Sequence, residues 1–167
     1  HLFAAPVLID YIKKKNLKDL CVVAPDPGSI KMSNAFAKRL DAGFAIVDKR
    51  RTGDREVEGS HLVGDVRGKT VVFVDDIIST GSSLVNAYAM VREYNPAAIY
   101  VLVTHAVLCD NALENMRRIE AEEIIVTNTI PLKGKHLDNL TVLSVARLLG
   151  EAIRRIHNNE SISKLFI

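Results

Sequence analysis

Two cysteines are all that the 167 residues contain, and Cys21 and Cys109 stand far apart. Cys21 lies in an apolar run, so a buried thiol is expected rather than the competing disulfide, in keeping with a reducing compartment. A dominant sign of charge is lacking too. Lysine and arginine number 22 against 20 acids, a formal balance of +2. That gives no general field for nucleic acid or a membrane surface, so any ligand argument must come from local clusters. No apolar run has the length of a membrane-spanning helix, and no signal peptide is visible. Together these absences lead us to expect a soluble, cytoplasmic protein without nucleic acid or membrane partners. An initiator methionine is also missing. The chain opens at His1, and a helical pattern follows almost at once, as in a cloned piece, a processed chain or a fragment.

Hydrophobic residues make up 48% of the chain, enough for a core and against disorder, and the length suits one domain. Ala5–Lys14 has helical spacing, with Val7, Leu8, Tyr11 and Ile12 on its apolar face and Pro6 in its first turn. Leu20–Ala24 is a short run rich in β-branched residues, closed by Pro25-Asp26-Pro27-Gly28. Runs without polar alternation suit strands covered on both faces, as in parallel sheets. Residues 29–40 read as helix and 44–47 as strand. Residues 70–74, 98–103 and 123–126 read as further strands, with 104–105 as a loop. Residues 82–94, 111–119 and 145–157 read as helices, the last with Ser144 as a possible N-cap. Residues 48–59 break the pattern. They are polar with two glycines and predict a long mobile loop, or a hairpin arm leading into 61–64. No internal repeat or low-complexity segment is present.

This alternation predicts a doubly wound, mainly parallel α/β sheet carrying a flexible loop or hairpin arm. In such sheets ligands sit outside the carboxyl ends of the strands. Four polar segments fall there: residues 26–28, 49–51, 75–76 and 104–105. The most informative is Val71 to Ser83. An apolar strand delivers Asp75 and Asp76, then Ser79, Thr80, Gly81, Ser82 and Ser83, and then a helix. Small residues at a helix start can aim several N–H groups and hydroxyls at one phosphate, with the helix dipole in support. Gly81 lets the backbone approach closely. The two carboxylates need another task, such as accepting from ribose hydroxyls or helping to hold Mg²⁺. The competing reading is a plain helix cap after an acidic turn, which leaves two adjacent acids at the end of an apolar strand to be stabilised.

The stretch Val71-Val72-Phe73-Val74-Asp75-Asp76-Ile77-Ile78-Ser79-Thr80-Gly81-Ser82-Ser83 resembles the ribose-phosphate motif of type I phosphoribosyltransferases and of ribose-phosphate pyrophosphokinases. Three other segments favour the pyrophosphokinases. Residues 23–28, VAPDPG, resemble the loop that ends in an acidic Mg²⁺ site. Residues 46–51, IVDKRR, resemble the catalytic flexible loop. Residues 143–156 and 160–166 resemble the C-terminus. The likeness is colinear over nearly the whole chain. Family members are roughly twice this long, with two similar α/β domains. Residues 1–167 therefore resemble a single C-terminal phosphoribosyltransferase-like domain, and the N-terminal domain that supplies much of the ATP site is expected to be missing.

The resemblance implies a role for each matching residue. Lys49 and Arg51 match the catalytic lysine and arginine, and Arg51 is also expected near ribose 5-phosphate. Asp75, Asp76, Ser79, Thr80, Gly81, Ser82 and Ser83 match the ribose 5-phosphate site. Asp26 matches the Mg²⁺-binding acid, although an aspartate capping the next helix would read almost the same. Thr104-His105 also matches a family motif, without an assigned role. Ser144 and Arg147 fall near a regulatory phosphate site of some members. Two departures stand out. Many members carry aspartate where this chain has Ser79, and Gly-Thr where it has Ser82-Ser83; Ser79 removes one carboxylate facing the ribose or metal, serine for threonine keeps the hydroxyl, and neither is read as inactivation.

The implied activity is transfer of the diphosphoryl group of ATP to the anomeric hydroxyl of ribose 5-phosphate, giving 5-phosphoribosyl 1-diphosphate and AMP. It would be a Mg²⁺-dependent step of nucleotide biosynthesis in a homo-oligomer, with the single domain inactive or weakly active alone. A type I phosphoribosyltransferase or a non-catalytic regulatory homologue are the alternatives.

Overall fold

The computed structural model describes residues 1–48 and 61–165. In chain order the elements are α1 (Ala5–Lys14), β1 (Leu20–Ala24), α2 (Ile30–Leu40), β2 (Gly43–Asp48), β3 (His61–Val63), β4 (Thr70–Ile78), α3 (Ser82–Arg92), β5 (Ala98–Ala106), α4 (Ala112–Arg117), β6 (Glu123–Thr127), β7 (Leu140–Leu143) and α5 (Ala146–His157). Among the described residues seven strands form one sheet in the order β3-β2-β1-β4-β5-β6-β7. All neighbours are parallel except β3, which runs antiparallel to β2. The expected parallel α/β architecture is therefore present.

Burial explains the apolar runs. On one face Val23, Val71, Phe73, Val101, Ile124 and Val126 pack with Leu84, Tyr88 and Met116 of α3 and α4. On the other, Val22, Val72, Val74, Leu102 and Ile125 pack with Leu8 and Ile12 of α1 and Phe36 and Leu40 of α2. Alternate residues of each central strand thus enter opposite cores, and only a run without polar interruption satisfies both. From β1 the chain first adds β2 and β3 on one side, then β4 to β7 on the other. The order reverses between β1 and β4, and the crevice outside their carboxyl ends is where this fold places a ligand.

Several boundaries differ from the sequence expectation. β4 continues through Asp75 and Asp76 to Ile78, because β5 continues beside it. Ile77 pairs with His105, and Ile78 with Ala106. Thr104 and His105 accordingly lie in a strand, not in a loop. β7 was not anticipated. It is a short edge strand paired with β6 from Ile124↔Leu140 to Thr127↔Leu143, so only one flank of it contributes pairing. α3 and α4 are shorter than expected. The N-cap of α5 is Val145 and not Ser144; the Ser144 hydroxyl, one residue earlier, accepts from the Ala146 N–H at 3.2 Å, while Asn128 Oδ1 accepts from Val145 N–H at 3.0 Å. The flanks of the polar segment pair as a hairpin, Asp48 opposite His61. Residues 49–60 lie outside the described residues.

At the opposite edge of the sheet from the switch-point crevice, Glu123 joins three elements. Tyr11 Oη donates to Glu123 Oε1 at 2.6 Å, Lys15 Nζ lies 2.6 Å from Oε2, and Thr141 Oγ1 donates to Oε1. Burial pushes this carboxyl up, but the bonds from Lys15, Thr141 and Tyr11 hold it below the usual range. A lowered carboxyl stabilises the fold above its ordinary pKa, and that contribution is lost as pH falls through the folded value. Glu123→Gln should therefore lower stability by about 1 kcal/mol at pH 7, with the deficit shrinking below pH 4. Urea denaturation at the two pH values measures it, and an equal loss at both would refute the ionic part.

Candidate active site

β1 ends at Ala24, and Asp26 follows in extended backbone with φ −154°. Pro27 then starts a single turn of 3₁₀-helix leading into α2. Asp26 Oδ1 accepts from the Ser29 N–H at 3.1 Å, and the Asp26 N–H is 3.5 Å from Ser29 Oγ. The capping alternative for Asp26 is therefore realised. It uses one carboxylate oxygen, and among the described residues the other has no protein partner.

β4 brings Asp75 and Asp76 to the same edge from across the switch point. Asp26, Asp75, Asp76, Ser79, Thr80 and Gly81 line one cavity of about 390 Å³, and Ser83 joins them. Ser82 is outside that lining, its hydroxyl 3.0 Å from Thr80 Oγ1. The Asp75 carboxyl is pushed up to about 7, chiefly by burial and further by the Asp26 and Asp76 charges. The Asp76 N–H, donating to Asp75 Oδ1 at 2.9 Å, opposes this. Asp75 thus changes charge near neutrality, in the wall of the cavity.

The small-residue loop is held from behind. The Leu108 and Cys109 N–H groups donate to the Ile78 and Ser79 carbonyls, each at 3.0 Å. Ser79 Oγ lies 3.1 Å from Cys109 Sγ, and Asn115 Nδ2 donates to the Thr80 carbonyl at 2.9 Å. Gly81 has φ +77°, and a Cβ there would come within 2.3 Å of Met116 Cε. The required glycine is thus explained by both backbone conformation and contact. The sequence reading missed Asn115, Cys109 and Met116. For Asn115 a signal existed, since Ala112, Asn115 and Met116 share the buried face of α4, and a polar residue at a core position needs a partner.

Lys49 and Arg51 lie outside the described residues. Their preceding strand, β2, runs parallel to β1 with Ala24 opposite Ile46, so its carboxyl end is at the edge that carries Asp26. His105 does not line the cavity; its Nδ1 is 2.8 Å from Thr129 Oγ1, while the Thr127 and Thr129 hydroxyls donate to the Thr104 carbonyl. This cluster ties β5 to the end of β6. Among the described residues no group of three or more histidine, cysteine or acidic side chains is placed to hold a metal ion. Mg²⁺ needs fewer, since it takes one or two carboxylates and fills its octahedron with water and substrate phosphates, and Asp26, Asp75 and Asp76 in the cavity lining offer carboxylate oxygens of that kind.

A mainly parallel sheet with this arrangement at its switch point has the type I phosphoribosyltransferase fold. Orotate phosphoribosyltransferase from Aeropyrum pernix shows the same fold, with TM-score 0.58 at 19% identity over 90% of this chain and 75% of that one. Phosphoribosylpyrophosphate synthetase from Mycobacterium smegmatis is far more similar, with TM-score 0.84 and 35% identity over 93% of this chain and 51% of that one. Residues 54–167 match the phosphoribosyl synthetase-associated domain, and the chain belongs to that family. Ribose-phosphate pyrophosphokinase from Synechocystis is 46% identical over 99% of this chain and 50% of its own length. The chloroplastic ribose-phosphate pyrophosphokinase 2 from Arabidopsis thaliana is 44% identical over 100% of this chain and 43% of its own. The chain spans about half the length of the curated relatives it matches.

Proposed function

We propose that this chain carries the ribose 5-phosphate half of a ribose-phosphate diphosphokinase. The observation that carries the reading is the single cavity that gathers Asp26, Asp75, Asp76 and the Ser79–Gly81 loop, in a chain 46% identical to a ribose-phosphate pyrophosphokinase. The loop and the start of α3 take the 5-phosphate, where N–H groups, hydroxyls and the helix dipole meet the negative charge. Asp75 and Asp76 accept from ribose hydroxyls and orient the sugar. The anomeric hydroxyl gives up its proton to solvent as its oxygen attacks the β-phosphorus of ATP, the bond from that phosphorus to the α–β bridging oxygen breaks, and AMP leaves with the bridging oxygen. Lys49 and Arg51 neutralise charge gathering on the transferred group, one as a point charge and the other as a fork of donors. Mg²⁺, with Asp26 among its ligands, would supply charge neutralisation on the phosphates. A loop carrying Lys49 and Arg51 also needs to exclude water, which would otherwise take the diphosphoryl group. Assembly as a homo-oligomer is part of this reading and rests on the family resemblance alone.

The expected result has two stages. Calorimetry should detect ribose 5-phosphate binding to this chain at millimolar ligand. The chain exchanged for the matching half of the Synechocystis enzyme should then release AMP from ATP, ribose 5-phosphate and Mg²⁺. AMP no higher than without the sugar would sink the reading.

A further inference from the structure

We propose that Asn115 is a positioning residue for the phosphate loop, turning the Thr80–Gly81 peptide so that its N–H faces the cavity. The inference rests on the ribose 5-phosphate reading of that loop and adds what gives the loop its shape. In a trans peptide the C=O and the next N–H point in opposite directions, and no peptide among the described residues is cis. The Ser79 carbonyl is taken by the Cys109 N–H at 3.0 Å, and the Thr80 carbonyl by Asn115 Nδ2 at 2.9 Å. The N–H groups of Thr80 and Gly81 are therefore directed away from α4 and the turn before it. Thr80 and Gly81 line the cavity, while Asn115 and Met116 lie behind them and outside its lining. Neither N–H has a protein acceptor among the described residues. Two adjacent donors held this way form an anion-binding concavity.

Asn115 suits the task because it is held firmly. It is only 5% exposed, on the buried face of α4 with Ala112 and Met116. The Cys109 N–H fixes the first of the two peptides and Asn115 the second. No backbone donor of α4 reaches Thr80, so the second peptide depends on one side chain. Met116, against which Gly81 packs, sets the depth of the loop, and Asn115 sets its direction. A residue acting in this way should affect recognition of the phosphate and not of the sugar.

The test compares ribose 5-phosphate with ribose as ligands of the whole chain, followed by amide NMR and calorimetry. In the parent chain the Thr80 and Gly81 amide resonances should move with ribose 5-phosphate and not with ribose. In Asn115→Ala the ratio of ribose 5-phosphate to ribose affinity should fall about tenfold, with amide resonances outside residues 78–84 in place. A general loss of folding would scatter those resonances and leave no selective change in the ratio. If Asn115→Ala fails to fold, the parent Gly81 amide decides: movement at saturating ribose 5-phosphate supports the proposal, and no movement overturns it. An unchanged ratio in a folded variant overturns it as well. A parent chain that binds no ribose 5-phosphate removes the underlying reading, an outcome distinct from normal binding with an unchanged ratio.

Discussion

Gly81→Ala is expected to lower stability by about 1–3 kcal/mol and to weaken ribose 5-phosphate binding at least about tenfold. Two separate costs add. The residue sits at φ +77°, where a Cβ crowds the following carbonyl. The same Cβ would meet Met116 Cε at 2.3 Å. That methyl is the far end of a flexible side chain, but Met116 is fully buried, so it can yield only by disturbing the core beneath the loop. Yielding would also move Thr80 and Gly81, whose backbone lines the cavity. A double-mutant cycle separates the costs. With Met116→Ala as background the contact is gone, and the residual loss for Gly81→Ala should be the conformational part alone. Chemical denaturation of the four chains measures it. Gly81→Ala at parent stability and parent affinity would remove the account of this loop.

The central strands were legible because their sequence must satisfy two cores at once. Val71 to Val74 has no polar interruption, and alternate residues do enter opposite faces. The ends were less legible for a physical reason. Asp75 and Asp76 are polar where they line the cavity, and Thr104 and His105 where they meet Thr127 and Thr129, yet all four lie in paired strands. Side-chain polarity there reports what the strand ends touch, not where the ladder stops. β7 escaped notice because an edge strand of four residues carries little pattern. Of the candidate site, Asp26, Asp75, Asp76, Ser79, Thr80, Gly81 and Ser83 do converge on one cavity. Ser82 instead bonds Thr80 within the loop. What the motif does not encode is its support. Cys109 and Asn115 contact the loop from 30 and 35 residues further along the chain, and spacing within residues 71–83 could not reveal them. Cys109 also brings its sulfur to the Ser79 hydroxyl, so that side chain has a local partner from the same distant segment.

Asp75→Asn should stabilise the fold at pH 8 while weakening ribose 5-phosphate binding. A carboxyl raised from 3.8 to about 7 keeps its proton in the folded chain over a range where the unfolded chain has lost it. The folded state binds more protons there, so stability falls as pH rises through that window. The stability is complete below the unfolded value, near 4, and the loss is complete above about 7; because the carboxyl is part-exposed, solvent screening leaves the amount well below the roughly 4 kcal/mol of the full shift. Asparagine cannot ionise, so the variant should lose this slope and gain most at pH 8. Binding should run the other way. The ionised Asp75 is the better acceptor for ribose hydroxyls and the better oxygen donor for Mg²⁺, so affinity in the parent should climb between pH 6 and 8. The ligand phosphate titrates nearby, with a second pKa of about 6, and would produce part of that climb by itself. It does so equally in Asp75→Asn, so the difference between the two pH profiles isolates the residue. Denaturation and calorimetry over the same pH series measure both quantities. Parallel stability curves would show that Asp75 is not strained by burial, and parallel binding curves would show that its charge is not used. A gain in stability together with a loss of affinity is the result expected of a carboxylate kept in an unfavourable place by its function.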